Sequence, residues 1–258
     1  MAEQPQPLTS WTRTLNEEDA FTLVDAAVPG AAVRDWSELA DRLLPQASLP
    51  RRREQIRMVR DELLDVRAGA IADSSWLRLF RDGSAHRRRG LLYGRLWRNR
   101  PLVLRALDEL VHPALERADR PLAPHDVDLL AKGVWDTFLR AVLRPDVPHA
   151  AFVKTRNTLQ AALRDVGVAE ITGHRERAVR VLRGRPDPLA FAWVLGCEIV
   201  ERGEHSESWA VRESYAARLF APRPDYAATC VDAGVTAGLV SRGHLLGQAR
   251  LRPGPEMR

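Results

Sequence analysis

Six arginines stand within the eighteen positions of SAHRRRGLLYGRLWRNRP, residues 84–101. Guanidinium groups at this density suit phosphate chemistry, because each keeps its charge and offers a planar fork of N–H donors. On a helix, at about 100° per residue, Arg87, Arg88, Arg95 and Arg98 share a sector about 100° wide, with Leu91 inside it. Leu92, Tyr93, Leu96 and Trp97 take the opposite side, where only Arg89 intrudes. No acidic residue lies between Asp82 and Asp108, so salt bridges within the helix cannot neutralise the stripe. The pattern predicts a phosphate-facing surface. Docking of the same stripe on an acidic protein patch is the rival reading.

A second constellation is HAAFVKTRNTLQAALRDVG, residues 149–167. Phe152, Leu159, Ala162, Leu163 and Val166 share one helical face, and Lys154, Arg156, Asn157, Gln160 and Arg164 share the other. Arginines and amides are the side chains that pair with base edges or phosphates. Helix 51–67 carries Arg53, Arg57 and Arg60 beside an apolar stripe of Ile56, Val59, Leu63 and Val66. Glu54, Asp61 and Asp65 stand on its far side, the mixture expected of a solvated helix.

The elements that must position these groups follow the helical period. Helices are predicted near 17–28, 34–44, 51–67, 73–81, 84–98, 101–118, 124–143, 149–166, 187–202, 207–219 and 224–237, with prolines at most junctions. Two stretches break the rhythm. In VAEITGHRERAVRVL, 168–182, β-branched residues flank the polar turn Gly173–Arg177. In GLVSRGHLLGQARL, 238–251, Ser241–His244 separates two apolar runs. Both read as β-hairpins, the only sheet in a mainly α chain, and each follows a helix ending at glycine, Gly167 or Gly238.

Helix, helix, hairpin is the order of a winged helix-turn-helix. The expected organisation is a tail at 1–16, a helical domain at 17–120, winged-helix-like units at 121–182 and 183–252, and a tail at 253–258. No internal sequence repeat is visible. In the first unit, helix 149–167 holds the place of a recognition helix, and Arg175 and Arg177 of the wing could reach a neighbouring backbone. In the second, PDYAATCVDAGVTAG has no basic residue and carries Asp225 and Asp232, which phosphates would repel. Arg242 and Arg250 are its only polyanion candidates.

Composition sets the bounds. The chain has 258 residues, 45% hydrophobic and 28% charged, which suits globular domains rather than disorder. Its net charge is +5, and 37 of its 39 basic residues are arginine, since only Lys132 and Lys154 are lysines. That bias reflects genome composition as much as phosphate binding. No run of about eighteen apolar residues is present and no secretory signal is visible, so the expectation is a cytoplasmic protein without membrane contact. Cys197 and Cys230 have no metal or redox spacing.

Catalytic signatures are missing. There is no phosphate loop ending in Gly-Lys-Ser/Thr, and no HExxH, CxxC or GxSxG. Neither lysine fits an Asp…Glu-x-Lys nuclease pattern. His125, Asp126 and Asp128 come closest to a metal cluster, but PHDVD reads as the start of a helix, where proline and acids belong. The expectation is a non-enzymatic protein with no cofactor and no metal.

Several stretches together resemble the BrxA family of BREX phage-defence systems: RRRGLLYGRLWRNRP, then PLVLRALDELVHPAL, then KTRNTLQAALRDVGV ahead of a hairpin, then PLAFAWVLGCEIVERG. The resemblance covers about residues 50–252 and rests on diffuse apolar and basic patterns. VLRPDVPHAAFV, 142–153, departs from the family's Trp-Ser-x-Ser/Thr-style opening. The resemblance implies a small, helical, non-enzymatic protein of winged-helix character that binds double-stranded DNA beside other BREX components. The matching positions are Arg88, Leu92 and Tyr93, and the segment Lys154–Leu163. A likeness of that family to the antitermination factor NusB points instead to RNA. A helical adaptor docked on an acidic partner is the third reading.

Overall fold

Apolar spacing becomes helix over most of the chain. The computed structural model describes residues 15–44, 48–98, 100–120, 127–172, 178–245 and 248–257. The architecture is mainly helical with a few small antiparallel sheets. Helix α1 (Glu17–Asp25) starts at Asn16, whose side chain accepts from the Glu18 and Asp19 amides. Helices α2 (Val33–Leu43) and α3 (Leu49–Met58) follow, and α3 runs on through a π turn at Val59–Leu63.

The helix expected to reach residue 67 stops at Leu63 because the chain reverses. Ala68 and Gly69 both have left-handed backbone (φ 49° and 77°), which pairs β1 (Val66–Arg67) with β2 (Ala70–Ile71) and leaves Val66 exposed. Then come α4 (Ser75–Arg81) and α5 (Ala85–Leu96). Helices α6 (Pro101–Ala106) and α7 (His112–Ala118) are one continuous rod joined by a π turn at Leu107–Val111. Pro113 cannot donate to the preceding turn, and the wider turn falls just before it.

The helix expected over 124–143 is shorter than the spacing suggests. Leu129–Leu130 form strand β3, and α8 (Lys132–Val142) begins only after it. Next are α9 (His149–Asp165) and the hairpin β4 (Ala169–Thr172) and β5 (Ala178–Val181), followed by α10 (Pro188–Arg202) and β6 (His205–Ser206). The single helix expected over 207–219 is two, α11 (Glu207–Arg212) and α12 (Tyr215–Phe220). Ser214 stands between them, and its hydroxyl accepts from the Ala217 amide to start α12. Helix α13 (Pro224–Thr236) leads into β7 (Val240–Leu245) and β8 (Gln248–Pro253).

Both expected hairpins are present, but Ser241–His244, expected to separate the arms of the second, pair with Ala249–Arg252 inside β7, and the hairpins are not the only strands. Each recruits a two-residue strand from well upstream. Leu129 and Leu130 pair with Arg180 and Val179, and His205 and Ser206 pair with Leu251 and Arg250. The sheet orders are therefore β3-β5-β4 and β6-β8-β7. Helix, short strand, helices, hairpin thus occurs twice, with the short strand always against the far arm of the hairpin.

The helix before each hairpin even ends the same way. Gly167 (φ 79°) lets the Val168 amide reach Leu163 O at 3.1 Å, and Gly238 (φ 72°) lets Leu239 reach Gly234 O at 2.9 Å. This repetition lies in topology and capping rather than in residues, so a search for sequence repeats does not see it.

Contacts divide the chain into two compact units that cut across the consecutive segments expected from sequence. Among the described residues the first comprises those within 15–96, 187–207 and 230–257, and the second those within 97–186 and 208–229. In the first, α10 is buried on almost every side through Phe191, Leu195 and Ile199, and packs on α5 and the β7–β8 hairpin. A helix apolar all round belongs inside a core. Residues 253–257, expected as a loose tail, are held in this unit. Pro253 pairs with Val240, and Glu256 accepts from Arg78 at 2.7 Å. In the second unit Trp135, Leu139, Leu159, Leu163, Val179 and Phe220 are buried, each worth about 1.5–3 kcal/mol where the side chain is large.

Candidate nucleic-acid interface

The arginine stripe on α5 is not free. Arg87 donates through Nε to Asp187 at 3.0 Å, and Arg88 to Asp25 at 2.9 Å and to Arg81 O at 3.1 Å. Arg95 donates to Glu62 O and, with both terminal nitrogens, to the Asp65 carboxylate at 2.8 and 3.1 Å. These three side chains keep only 20–24% of their surface. Arg88 also lies over the Phe21 and Phe80 rings, and Arg95 over Trp76. Arg98 is partly buried and engaged as well.

The expected phosphate stripe is therefore ion-paired at Arg87, Arg88 and Arg95. Its counter-charges come from other elements of the fold, where helical spacing cannot reveal them. Leu91, at the centre of the basic sector, is fully buried and its carbonyl accepts from Trp76 Nε1. Burial alone would raise the Asp65 carboxyl, but hydrogen bonding and charge from Arg95, with smaller help from Ser74 and Arg67, hold it below the usual carboxylate range.

Helix α9 divides the expected recognition residues. Lys154 and Arg164 are exposed and share one row with Ala150, Asn157 and Ala161, spaced four, three, four and three residues apart, but Asn157 is half-buried and its Oδ1 is buried without a hydrogen-bond partner. Arg156 and Gln160 face inward. Arg156 is 8% exposed and donates to Asp136 of α8 at 2.6 Å, while Gln160 is 1% exposed with neither amide atom partnered. The expected apolar face is Phe152, Leu159, Ala162, Leu163 and Val166, but α9 packs on both α8 and β4, so its buried sector is wider. Arg164 pairs with adjacent Asp165 yet stays 54% exposed, which leaves its charge largely available. Lys154 makes no ion pair among the described residues.

Sequence reasoning missed Arg140 on the exposed side of α8 and Arg144 in the turn before α9. Their signal in the sequence is the arginine spacing in WDTFLRAVLRP. Arg175 and Arg177 lie outside the described residues. In the other hairpin Arg242 is clamped by Glu207 and Asp232, at 2.6 and 2.7 Å, and Arg250 is half-buried. The outer positions of α13 include Asp225 and Asp232, both exposed.

Reactive groups are not gathered here. Among the described residues no three His, Cys, Asp or Glu side chains form a metal-binding group. His125 and Asp126 lie outside them, and Asp128 accepts from Arg180. Burial, with the Asp187 charge adding to it, pushes the Cys230 thiol up to about 12, so it stays protonated. No described helix is long and apolar enough to cross a membrane. Comparison with protein-family models, curated proteins and solved structures gives no match in any of the three.

Proposed function

We propose that this chain is a non-enzymatic, double-stranded-DNA-binding accessory protein of a BREX-type phage-defence system, and that both helix–hairpin repeats are winged helices. One observation carries the DNA-binding reading. The β3-β5-β4 order places α9 directly before a hairpin whose far strand pairs with a strand ahead of the helix pair. In that arrangement the helix before the wing enters the major groove and the helix before it crosses the backbone. The outer row of α9 has the matching chemistry. Ala150 and Ala161 permit close approach, and Lys154 and Arg164 suit phosphates. Arg140 and Arg144 add backbone contacts.

Arg87, Arg88 and Arg95 are left out of the proposed face because carboxylates already hold them. The second repeat is left out because α13 exposes Asp225 and Asp232. The BREX assignment rests on the resemblance of residues 87–101, 101–115, 154–168 and 188–203.

An electrophoretic shift assay with a mixed-sequence duplex and the matching RNA, over a salt series, tests the reading. Duplex binding should weaken steeply with salt, and Lys154→Ala or Arg164→Ala should each flatten the slope by about one unit. Preference for RNA would favour the antitermination-like alternative. Absence of binding to either nucleic acid at low salt would end the proposal.

A further inference from the structure

We propose, beyond the DNA-binding reading and independently of it, that the groove between α2 and α3 docks an acidic amphipathic helix of a partner protein. The groove encloses about 760 Å³ and is lined by five arginines, Arg34 and Arg42 from α2 and Arg53, Arg57 and Arg60 from α3. The three on α3 recur at i, i+4 and i+7 and so form one row. Their situation is the reverse of that on α5. Arg53 and Arg57 have no hydrogen bond or salt bridge among the described residues, and Arg57 only feels the charge of Asp61. Arg34 meets only its neighbour Asp35 at 3.4 Å with 85% of its side chain exposed, and Arg42 donates only to a backbone carbonyl. Arg60 alone is firmly paired, with Asp61 at 2.6 Å.

The rest of the lining identifies the occupant. Leu49, 45% exposed, gives the groove an apolar spot beside the buried Ile56, and Glu38 and Asp41 stand in its α2 wall. Asp41 is already taken by Arg52 at 3.3 Å. Among the described residues nothing aromatic lines the groove, so they offer no stacking platform of the kind single-stranded bases use. A duplex backbone would leave Leu49 against phosphate and bring phosphate towards Glu38. The volume also fits a row of side chains, as in pockets of roughly 300–1,000 Å³, rather than a duplex. An acidic amphipathic helix meets every condition. Its apolar residues at i, i+3 or i+4 and i+7 would cover Leu49 and the rim of Ile56, and its carboxylates would take the arginine forks from both walls.

The test uses the full chain and fluorescence anisotropy. The probe is a labelled helical peptide of about 18 residues, five turns long, with leucine on one face and glutamate on the other. A scrambled peptide of the same composition and a mixed-sequence DNA duplex are the controls. The leucine–glutamate helix should bind, and the scrambled peptide should bind at least about tenfold more weakly. Arg53→Glu/Arg57→Glu should lose at least about tenfold in peptide affinity, and Leu49→Gln several-fold, with duplex affinity unchanged in both. Arg53→Ala removes a side chain with no hydrogen bond or ion pair among the described residues and keeps the test usable if the double variant unfolds. The proposal is overturned by no peptide binding, by equal binding of the scrambled peptide, or by full affinity in the arginine variants. It is also overturned if duplex DNA displaces the peptide and those variants lose duplex affinity, or if the groove instead holds a second copy, seen as a doubled mass that those variants abolish.

Discussion

Arg95 meets Asp65 through both terminal guanidinium nitrogens, at 2.8 and 3.1 Å, while lying 5.3 Å over the Trp76 ring. Three attractions converge on a side chain whose sequence context advertised a DNA contact. The group that reads as a surface cation is a tie inside the first unit.

Replacing it should therefore unsettle the fold. Arg95→Met leaves Asp65 partly buried without its partner, and because Asp65 is 35% exposed the cost is modest, about 1–2 kcal/mol. Chemical denaturation should show that loss, with duplex affinity unaltered. Acid sensitivity should change as well. The Asp65 carboxyl is held low in the folded protein, so its stabilisation is complete above its unfolded value of about 4 and is lost as pH falls through the lower folded value. The variant should lack this acid-limb loss. An unchanged profile would refute the assignment.

His112 should give the second unit its sensitivity near neutrality. Its Nε2 donates to the Arg218 carbonyl at 2.9 Å, since a carbonyl can only accept. Burial, the largest effect, pushes the imidazole below its ordinary value; that carbonyl and Asp108 oppose it, and the Arg183 and Arg218 charges add smaller downward pushes. The unfolded chain then takes up a proton more readily, so stability is complete above about pH 6.5 and falls as pH drops towards the folded value. His112→Gln should flatten the denaturation midpoint over this range. A variant as pH-dependent as the parent would show that other groups are responsible.

Gln160 should be better replaced than kept, as far as folding is concerned. Both of its amide atoms are buried and unpartnered, and an apolar side chain of similar length removes that penalty. Gln160→Met is expected to gain about 1 kcal/mol and to raise Tm by a few degrees. Duplex binding should not move. A lower Tm would mean that the amide is satisfied by something that methionine cannot replace.

Neighbouring positions on α9 should separate into two phenotypes. Lys154→Ala and Arg164→Ala should weaken duplex binding with little change in Tm, since both are exposed. Arg156→Met should cost about 1–3 kcal/mol of stability by stranding Asp136, and should affect DNA only through folding. A thermal melt and a gel shift on the three proteins would distinguish them. A stable Arg156→Met protein with weakened duplex binding would contradict the inward placement.

Several features were legible because their causes are local. Prolines 101, 188 and 224 start helices, Gly167 and Gly238 end them, and the β-branched runs around residues 171 and 179 form a hairpin. Burial direction was less accessible. Leu91 in the middle of the α5 basic sector was the available warning, because a solvent stripe has no reason to centre on leucine. The carboxylates that hold the stripe are Asp25, Asp65 and Asp187, remote in sequence. Strands β3 and β6 are two residues long and carry no periodicity of their own. On α9 the polar and apolar faces were sorted by type, yet Arg156 turned inward because a carboxylate on α8 was waiting for it.

The order in which the chain contributes to its two units bears on biosynthesis. Residues 15–96 lack α10 and the β7–β8 hairpin until residues 187–207 and 230–257 have been made, after nearly the whole second unit. While these are still in the ribosomal tunnel, the apolar surfaces of α4 and α5 that α10 will cover stay open to chaperones or to aggregation. Such distant joining raises contact order and slows folding. A cut between residues 186 and 187 would yield no free-standing half, because each product would hold only fragments of the first unit's core.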